Sequence, residues 1–122
     1  MRVLVVEDDS DLRTVIRLVL EAKGYSVSEA SHGQAALEQM ANVVPDVVLA
    51  DARMPVMNGA ELVSRVRADE RFRDVRIVMI TGDATPPGSV AAVDAWLTKP
   101  FEMADLIGTL LRLGEARAPG SR

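Results

Sequence analysis

Five strand-like runs alternate with segments of helical periodicity, and this alternation restricts the fold more than any other feature of the chain. The runs occupy residues 2–6, 25–30, 47–50, 75–80 and 95–97, and three of them are apolar at nearly every position. Continuous apolar runs are typical of strands buried on both faces, and helices between them form right-handed crossovers. We therefore expect an α/β fold, a doubly wound five-stranded parallel sheet with helices on both faces.

The segments between the runs predict the helices and the extent of the domain. Asp9 or Ser10 can cap a first helix that ends near Gly24. Apolar spacing predicts further helices over 34–40, 60–68 and 103–112. The chain of 122 residues fits one domain, over 1–113, with 114–122 as a tail or linker.

Composition and charge narrow the functions that are open to the chain. The absence of cysteine excludes disulfides, thiolate chemistry and cysteine-based metal sites. The first apolar stretch is too short for a signal-peptide core or a membrane span, so we expect a cytoplasmic domain without membrane contact. A formal net charge of −4 disfavours nucleic-acid binding by phosphate neutralisation. The arginines at 65, 67, 71, 73 and 76 lack interleaved aromatic residues and are interpreted as a solvated helix face and loop.

Polar residues follow four of the strands at the point where each strand ends. They are Glu7, Asp8, Asp51, Thr81 and Lys99. Because the carboxyl ends of parallel strands share one edge of a sheet, we expect these side chains to meet there. Three clustered carboxylates repel one another unless a hard cation such as Mg²⁺ joins them.

Such a cluster has the parts needed for phosphoryl transfer to a carboxylate. Mg²⁺ would orient and neutralise an incoming phosphate, and an aspartate can act as the nucleophile that forms an acyl phosphate. Lys99 supplies a compact cation and Thr81 a hydroxyl donor for the phosphoryl oxygens. The sequence therefore favours a phosphoryl-accepting site at the edge of the sheet.

Four sequence pieces stand in the order of a known family. They are VVEDD at 5–9, DARMPVMNG at 51–59, ITG at 80–82 and WLTKPF at 96–101. Over about residues 1–113 the chain resembles the receiver domain of two-component response regulators, which is the CheY-like family. The resemblance implies a flavodoxin-like sheet with strand order 2-1-3-4-5, and a phosphorelay signalling role rather than that of an enzyme.

The resemblance also implies individual roles for the acidic residues. Asp51 matches the phosphoacceptor, Asp8 the direct Mg²⁺ ligand, and Glu7 the acidic neighbour that usually acts through water. Asp51 itself and the backbone carbonyl of Arg53 would complete the metal site, where Mn²⁺ can replace Mg²⁺.

A second set of matching residues would surround the phosphoryl group. Thr81 matches the switch hydroxyl, and Lys99 matches the lysine that pairs with the phosphoryl group. Trp96 stands at the aromatic switch position, which is usually Tyr or Phe. The bond between Lys99 and Pro100 matches a peptide that is usually cis.

The segment between Thr81 and Lys99 departs from the family pattern. It is about four residues short, which is roughly one helical turn. The fourth helix of the family pattern, which we expect to begin near Thr85, is therefore predicted to be short or irregular. In the family this helix is part of the face that partners contact, so the output surface is expected to differ.

Arg53 and Asp83 suggest one further feature of the pocket. Both positions flank the phosphorylation pocket in the family pattern. An exposed ion pair between them would add little stability, but it would shield the acyl phosphate from water.

Three other functions fit parts of the pattern. A haloacid-dehalogenase-type enzyme also uses an aspartyl phosphate, but its nucleophile follows the first strand in a DxDxT pattern that residues 7–11 do not match. A Rossmann-type nucleotide binder needs a glycine-rich turn after the first strand, and this chain has none. A receiver that binds partners without phosphorylation is disfavoured by the complete set of pocket residues.

The expected function is that of a phosphoacceptor domain in a two-component phosphorelay. The resemblance implies a histidine kinase or a histidine phosphotransfer protein as the donor, and an unidentified protein as the target. A free-standing regulator and a fragment of a longer protein both stay open. His32 is expected to be exposed and to have no role.

Overall fold

Five parallel strands form the centre of the computed structural model, which describes residues 1–53, 57–82 and 93–116. The strands are β1 (Arg2–Val6), β2 (Ser26–Ala30), β3 (Val47–Asp51), β4 (Arg76–Thr81) and β5 (Ala95–Thr98). Their order across the sheet is β2-β1-β3-β4-β5, and every neighbouring pair is parallel. The predicted fold class and strand order are therefore confirmed.

Helices cover both faces of this sheet. Within the described residues they are α1 (Ser10–Ala22), α2 (Gly33–Asn42), α3 (Gly59–Ala68) and α4 (Met103–Ala116), with a 3₁₀ turn at Glu70–Phe72. None of these helices combines the length and the apolar character needed to cross a membrane. The short helix predicted between β4 and β5 lies outside the described residues.

The last helix ends later than the sequence predicts. α4 runs to Ala116 rather than to Arg112, so its final turn occupies part of the expected tail. Leu113 lies in that turn and packs partly buried against the apolar core. Leu113 continues the helical spacing of the buried residues Leu106 and Leu110, and it gives the extra turn an apolar anchor.

Side chains close the N-termini of three helices. Asp9 caps α1 and Asn58 caps α3, each by accepting backbone N–H groups of the first turn. His32 Nδ1 accepts a hydrogen bond from Ala35 N at 3.2 Å and so caps α2. The expectation that His32 is exposed is wrong, because the residue that closes this helix is half-buried.

Two apolar clusters, one on each face of the sheet, form the core. On one face Leu4 and Val6 of β1 pack with α2 and α3, and on the other face Val3 and Val5 pack with α1 and α4. Alternate residues of a strand point to opposite faces, so a strand covered on both sides must be apolar at consecutive positions. The helices contribute fully buried residues, among them Ile16, Leu20, Met40, Leu62, Leu106 and Leu110.

Asp94 holds the sheet together at the edge where β4 and β5 begin. Its Oδ2 accepts hydrogen bonds from Ile77 N at 2.7 Å and from Arg67 Nη2 at 3.0 Å. Arg67 Nη1 also donates to Val75 O at 2.7 Å, and Arg76 Nη1 lies 3.5 Å from Asp94 Oδ1. Two of the arginines interpreted as solvated therefore fix the N-terminal ends of these strands.

The strand order reverses between β1 and β3, and this reversal determines where the polar strand ends meet. Glu7 follows β1 directly and Lys99 follows β5 directly, whereas Asp51 is the last residue of β3 and Thr81 is the last residue of β4. Ligands of open α/β sheets bind at the carboxyl ends of the strands beside such a reversal. The topology thus brings the predicted site residues to one edge.

Gly59, the first residue of α3, lies against the backbone that follows β3. A Cβ at this position would lie 2.8 Å from Ala52 Cα and 3.0 Å from Asp51 O. Because main-chain atoms yield less readily than a side chain, we expect Gly59→Ala to lower the free energy of unfolding by about 1–3 kcal/mol. Urea denaturation followed by circular dichroism measures this change.

Gly108, in the middle of α4, provides the matched control. A Cβ there would meet Arg112 Nη1 at 3.6 Å, an ordinary contact. Gly108→Ala is expected to raise the free energy of unfolding by about 0.5–1 kcal/mol, since alanine loses less backbone entropy in a helix. A Gly59→Ala protein as stable as the wild type would contradict the close contact at Ala52.

Candidate functional site

Three carboxylates converge at the carboxyl edge of the sheet. Glu7, Asp8 and Asp51 each offer an oxygen, and these oxygens all lie within 4.8 Å of one another. Glu7 is 2% exposed and Asp51 is 5% exposed, whereas Asp8 faces solvent. The predicted meeting of these three side chains is found in the structure.

Both carboxylate oxygens of Asp51 are held in defined hydrogen bonds. Oδ1 accepts from Arg53 N at 2.8 Å, and Oδ2 accepts from Lys99 Nζ at 2.7 Å. Ala52 N donates to Ile80 O at 2.8 Å, which continues the β3–β4 pairing beyond Asp51. The orientation of the Asp51 carboxylate is therefore fixed by two hydrogen bonds, one to each oxygen.

Glu7 is the most electrostatically unusual group of the site. Its Oε2 accepts from Asp9 N at 3.1 Å, while the buried Oε1 has no hydrogen-bond partner among the described residues. Burial raises the pKa of Glu7 to about 7, and the nearby carboxylates of Asp51 and Asp8 add to the increase. An unpaired buried oxygen beside two further carboxylates has the chemistry of a hard-cation ligand.

Lys99 provides the positive charge opposite these carboxylates. Burial disfavours its ammonium form, but the hydrogen bond to Asp51 and the charges of Asp51, Glu7 and Asp8 outweigh it and raise the pKa of Lys99. Lys99 N donates to Thr81 O at 2.7 Å, which ties the ends of β5 and β4 together. The peptide between Lys99 and Pro100 is cis.

A surface cleft of about 470 Å³ opens above this cluster. Its lining consists of Glu7, Asp8, Asp9, Asp51, Arg53, Gly82 and Lys99. Hard oxygen donors lie on one side of the cleft and an ammonium group on the other. This arrangement suits a divalent cation together with a phosphate-sized anion.

The two predicted switch residues are on β4 and β5, and neither is part of the cleft lining. Thr81 is buried at the end of β4. Trp96 pairs with Met79 across β4 and β5 and packs, partly buried, against the cluster on the α2–α3 face. Asp83, the predicted partner of Arg53, lies outside the described residues.

Asp9 and Gly82 line the cleft, although the sequence reading gave neither of them a role in the site. Asp9 caps α1 through its side chain and donates its N–H to the Glu7 carboxylate. Asp9 follows an acidic pair and stands at a helix start. This local pattern indicates that it can both cap the helix and contact the preceding carboxylate. Gly82 simply follows Thr81 at the end of β4.

Comparison with known proteins identifies the family to which this chain belongs. The family model of the response regulator receiver domain matches residues 3–111. Chemotaxis protein CheY1 of Helicobacter pylori strain J99 is 41% identical in an alignment of 107 residues that covers 83% of this chain and 86% of that protein. The chain therefore belongs to the receiver domain family of two-component signalling.

Solved structures of the family share the fold. The chemotaxis response regulator CheY4 of Vibrio cholerae has a TM-score of 0.86 and 34% identity, with 92% of this chain and 97% of that chain covered. The receiver domain of a sensor histidine kinase from Pseudomonas aeruginosa PAO1 has a TM-score of 0.84 and 32% identity. The comparison covers 93% of this chain and 97% of that chain. That structure holds a magnesium ion in its active-site cleft.

The raised pKa of Glu7 makes the stability of the metal-free protein depend on pH. The folded state keeps a proton on Glu7 up to about pH 7, whereas the unfolded chain releases it near 4.5. The contribution of Glu7 to stability is therefore fully present below pH 4.5 and is lost as pH rises toward 7. Glu7→Gln mimics the protonated form and is expected to be more stable than the wild type at pH 8, by on the order of 1–3 kcal/mol.

Denaturant titrations at pH 4 and pH 8 in the presence of a chelator test this expectation. The stability difference between Glu7→Gln and the wild type should nearly vanish at the lower pH. A difference of the same size at both pH values would show that the charge of Glu7 is not the cause.

Proposed function

We propose that this chain is a phosphoacceptor signalling domain that receives a phosphoryl group on Asp51. The observation that carries the proposal is the position of Asp51, which has the carboxylates of Glu7 and Asp8 on one side and the ammonium group of Lys99 on the other. Lys99 Nζ lies 2.7 Å from Asp51 Oδ2. Membership of the receiver domain family supports the same role. The donor would be a phosphohistidine of a histidine kinase or of a histidine phosphotransfer protein.

The transfer would exchange one bond to phosphorus for another. A carboxylate oxygen of Asp51 attacks the phosphorus atom, the bond between phosphorus and the donor imidazole nitrogen breaks, and its electron pair stays on that nitrogen. The product is an acyl phosphate on Asp51. The backbone N–H of Arg53 and the ammonium group of Lys99 hold the carboxylate in a single orientation before the attack.

The acidic residues of the site would hold a divalent cation. Asp8, Asp51 and the unpaired Glu7 Oε1 offer hard oxygen atoms, and Mg²⁺ or Mn²⁺ bound there would neutralise charge on the phosphoryl oxygens. The magnesium ion of the Pseudomonas aeruginosa receiver domain supports this assignment. The backbone carbonyl of Arg53 is proposed as a further ligand.

The added charge would act as the signal. Phosphorylation places about two negative charges beside Lys99 and Thr81. Lys99 would pair with a phosphoryl oxygen, the Thr81 hydroxyl would donate to another, and Trp96 would occupy the space beside β4 that Thr81 leaves. These contacts would favour one of two conformers of the domain. Phosphorylation would therefore shift the population between conformers that differ at the partner-binding surface.

The site favours this role over a haloacid-dehalogenase-type phosphatase. In such an enzyme the nucleophile follows the first strand, where this chain has Asp8. Lys99 instead contacts Asp51 at the end of β3, and Asp8 faces solvent. We therefore propose that the chain assists its own phosphorylation and dephosphorylation but does not hydrolyse small phosphoesters.

Beryllofluoride, a mimic of the phosphoryl group, tests the assignment of Asp51. With Mg²⁺ present it is expected to change the fluorescence of Trp96, the single tryptophan of the chain. Asp51→Asn should abolish the change because it removes the anionic oxygen to which beryllium binds. Asp11→Asn, in the first turn of α1, is the control and should respond like the wild type.

Two results would contradict the proposal. One is a fluorescence response of Asp51→Asn equal to that of the wild type. The other is steady turnover of p-nitrophenyl phosphate by the wild type that Asp51→Asn retains and Asp8→Asn loses, since that pattern would place the nucleophile after β1.

A further inference from the structure

We propose that Arg13 is a positioning residue that sets the affinity of the site for its divalent cation, an inference that rests on the function proposed above. Arg13 lies in the second turn of α1 and is absent from the lining of the cleft. Its Nη1 donates a hydrogen bond to the backbone oxygen of Glu7 at 2.7 Å. Arg13 would therefore act on the metal site through the main chain.

The hydrogen bond from Arg13 replaces one that the sheet cannot supply. Glu7 N still donates to Ala30 O at 3.0 Å, in the pattern of a parallel ladder. If β2 continued in the same ladder, the backbone N–H of the residue two positions after Ala30 would donate to Glu7 O. β2 ends at Ala30 and the chain turns into α2, so the guanidinium group of Arg13 takes the place of that donor.

The guanidinium group is also held by Glu29 of β2, which is itself held by α2. Arg13 Nε donates to Glu29 Oε1 at 3.1 Å, and the Arg13 side chain is 20% exposed. Gln39 Nε2 of α2 donates to the backbone oxygen of Glu29 at 2.5 Å. The fork of Arg13 therefore links β2 to the backbone of the metal site, and its planar geometry keeps both bonds in register.

The Glu7 oxygen belongs to the peptide that joins Glu7 to Asp8, so its position affects both carboxylates. Rotation of this peptide would move the Glu7 side chain away from Asp9 N and turn Asp8 away from Asp51. Mg²⁺ tolerates little deviation from octahedral geometry, and partners that orient metal ligands commonly change affinity by about tenfold or more. Loss of the Arg13 bond should therefore weaken cation binding.

The loss of the positive charge of Arg13, taken alone, would strengthen cation binding. Removal of a cation near three carboxylates makes the site more negative and favours the binding of a divalent cation. Weaker cation binding after loss of Arg13 would therefore indicate that the Glu7–Asp8 peptide is no longer held in position. It would not follow from the change in electrostatic field at the site.

Arg17 provides a matched control for charge and for packing. It lies one turn later on α1, is 30% exposed, and its Nε lies 2.9 Å from Glu29 Oε2. Its Nη1 pairs with Glu21 at 3.0 Å, so its described contacts go to glutamates and not to the backbone of Glu7. Methionine at either position removes one positive charge while it keeps most of the apolar stem.

The test compares Arg13→Met with Arg17→Met by calorimetric titration of the full chain with Mg²⁺. Arg13→Met is expected to bind Mg²⁺ about tenfold more weakly than the wild type, and Arg17→Met as tightly or slightly more tightly. Amide hydrogen exchange of the metal-free proteins gives an independent readout. Exchange at Asp8 and Asp9 should accelerate in Arg13→Met only.

Unchanged Mg²⁺ affinity in Arg13→Met, or an equal loss in both variants, would overturn the positioning role while the phosphoacceptor proposal stands. A wild type that binds no Mg²⁺ would overturn both proposals. Equal unfolding free energies of the two variants would exclude a general loss of stability as the cause of a difference between them.

Discussion

The contact between Lys99 Nζ and Asp51 Oδ2, at 2.7 Å, joins the ends of two strands that are separated by β4. Without it the carboxylates of Glu7, Asp8 and Asp51 would concentrate negative charge at an edge where two of them are buried. Lys99 offsets part of this charge and holds the Asp51 carboxylate in place. The charge that remains suits a divalent cation, so the proposed metal binding and the proposed phosphoryl acceptance would depend on the same ion pair.

The strand pattern alone was enough to predict a parallel sheet covered by helices on both faces and the meeting of the site residues at one edge. Runs that are apolar at consecutive positions require cover on both faces, and parallel strands then place all their carboxyl ends together. Glu7, Asp51 and Thr81 stand where three such runs stop, so their proximity follows from topology without knowledge of packing. The order of the strands came from the resemblance to the family rather than from the pattern.

The parts that the sequence did not reveal depend on where distant segments return in space. Arg13 occupies an ordinary polar position of an amphipathic helix, yet its partner is a backbone oxygen at the end of β1. A contact of this kind, between a side chain and remote backbone, leaves no periodic signal in the sequence.

The central claim is that Asp51 carries the phosphoryl group, and chemical trapping tests it most directly. Acyl phosphates are reduced by borohydride, which converts a phosphorylated aspartate into homoserine. After incubation with Mg²⁺ and acetyl phosphate, peptide mass spectrometry should locate homoserine at position 51 of the chain. Homoserine at position 8 in place of position 51, or none at all in a protein that binds Mg²⁺, would contradict the claim.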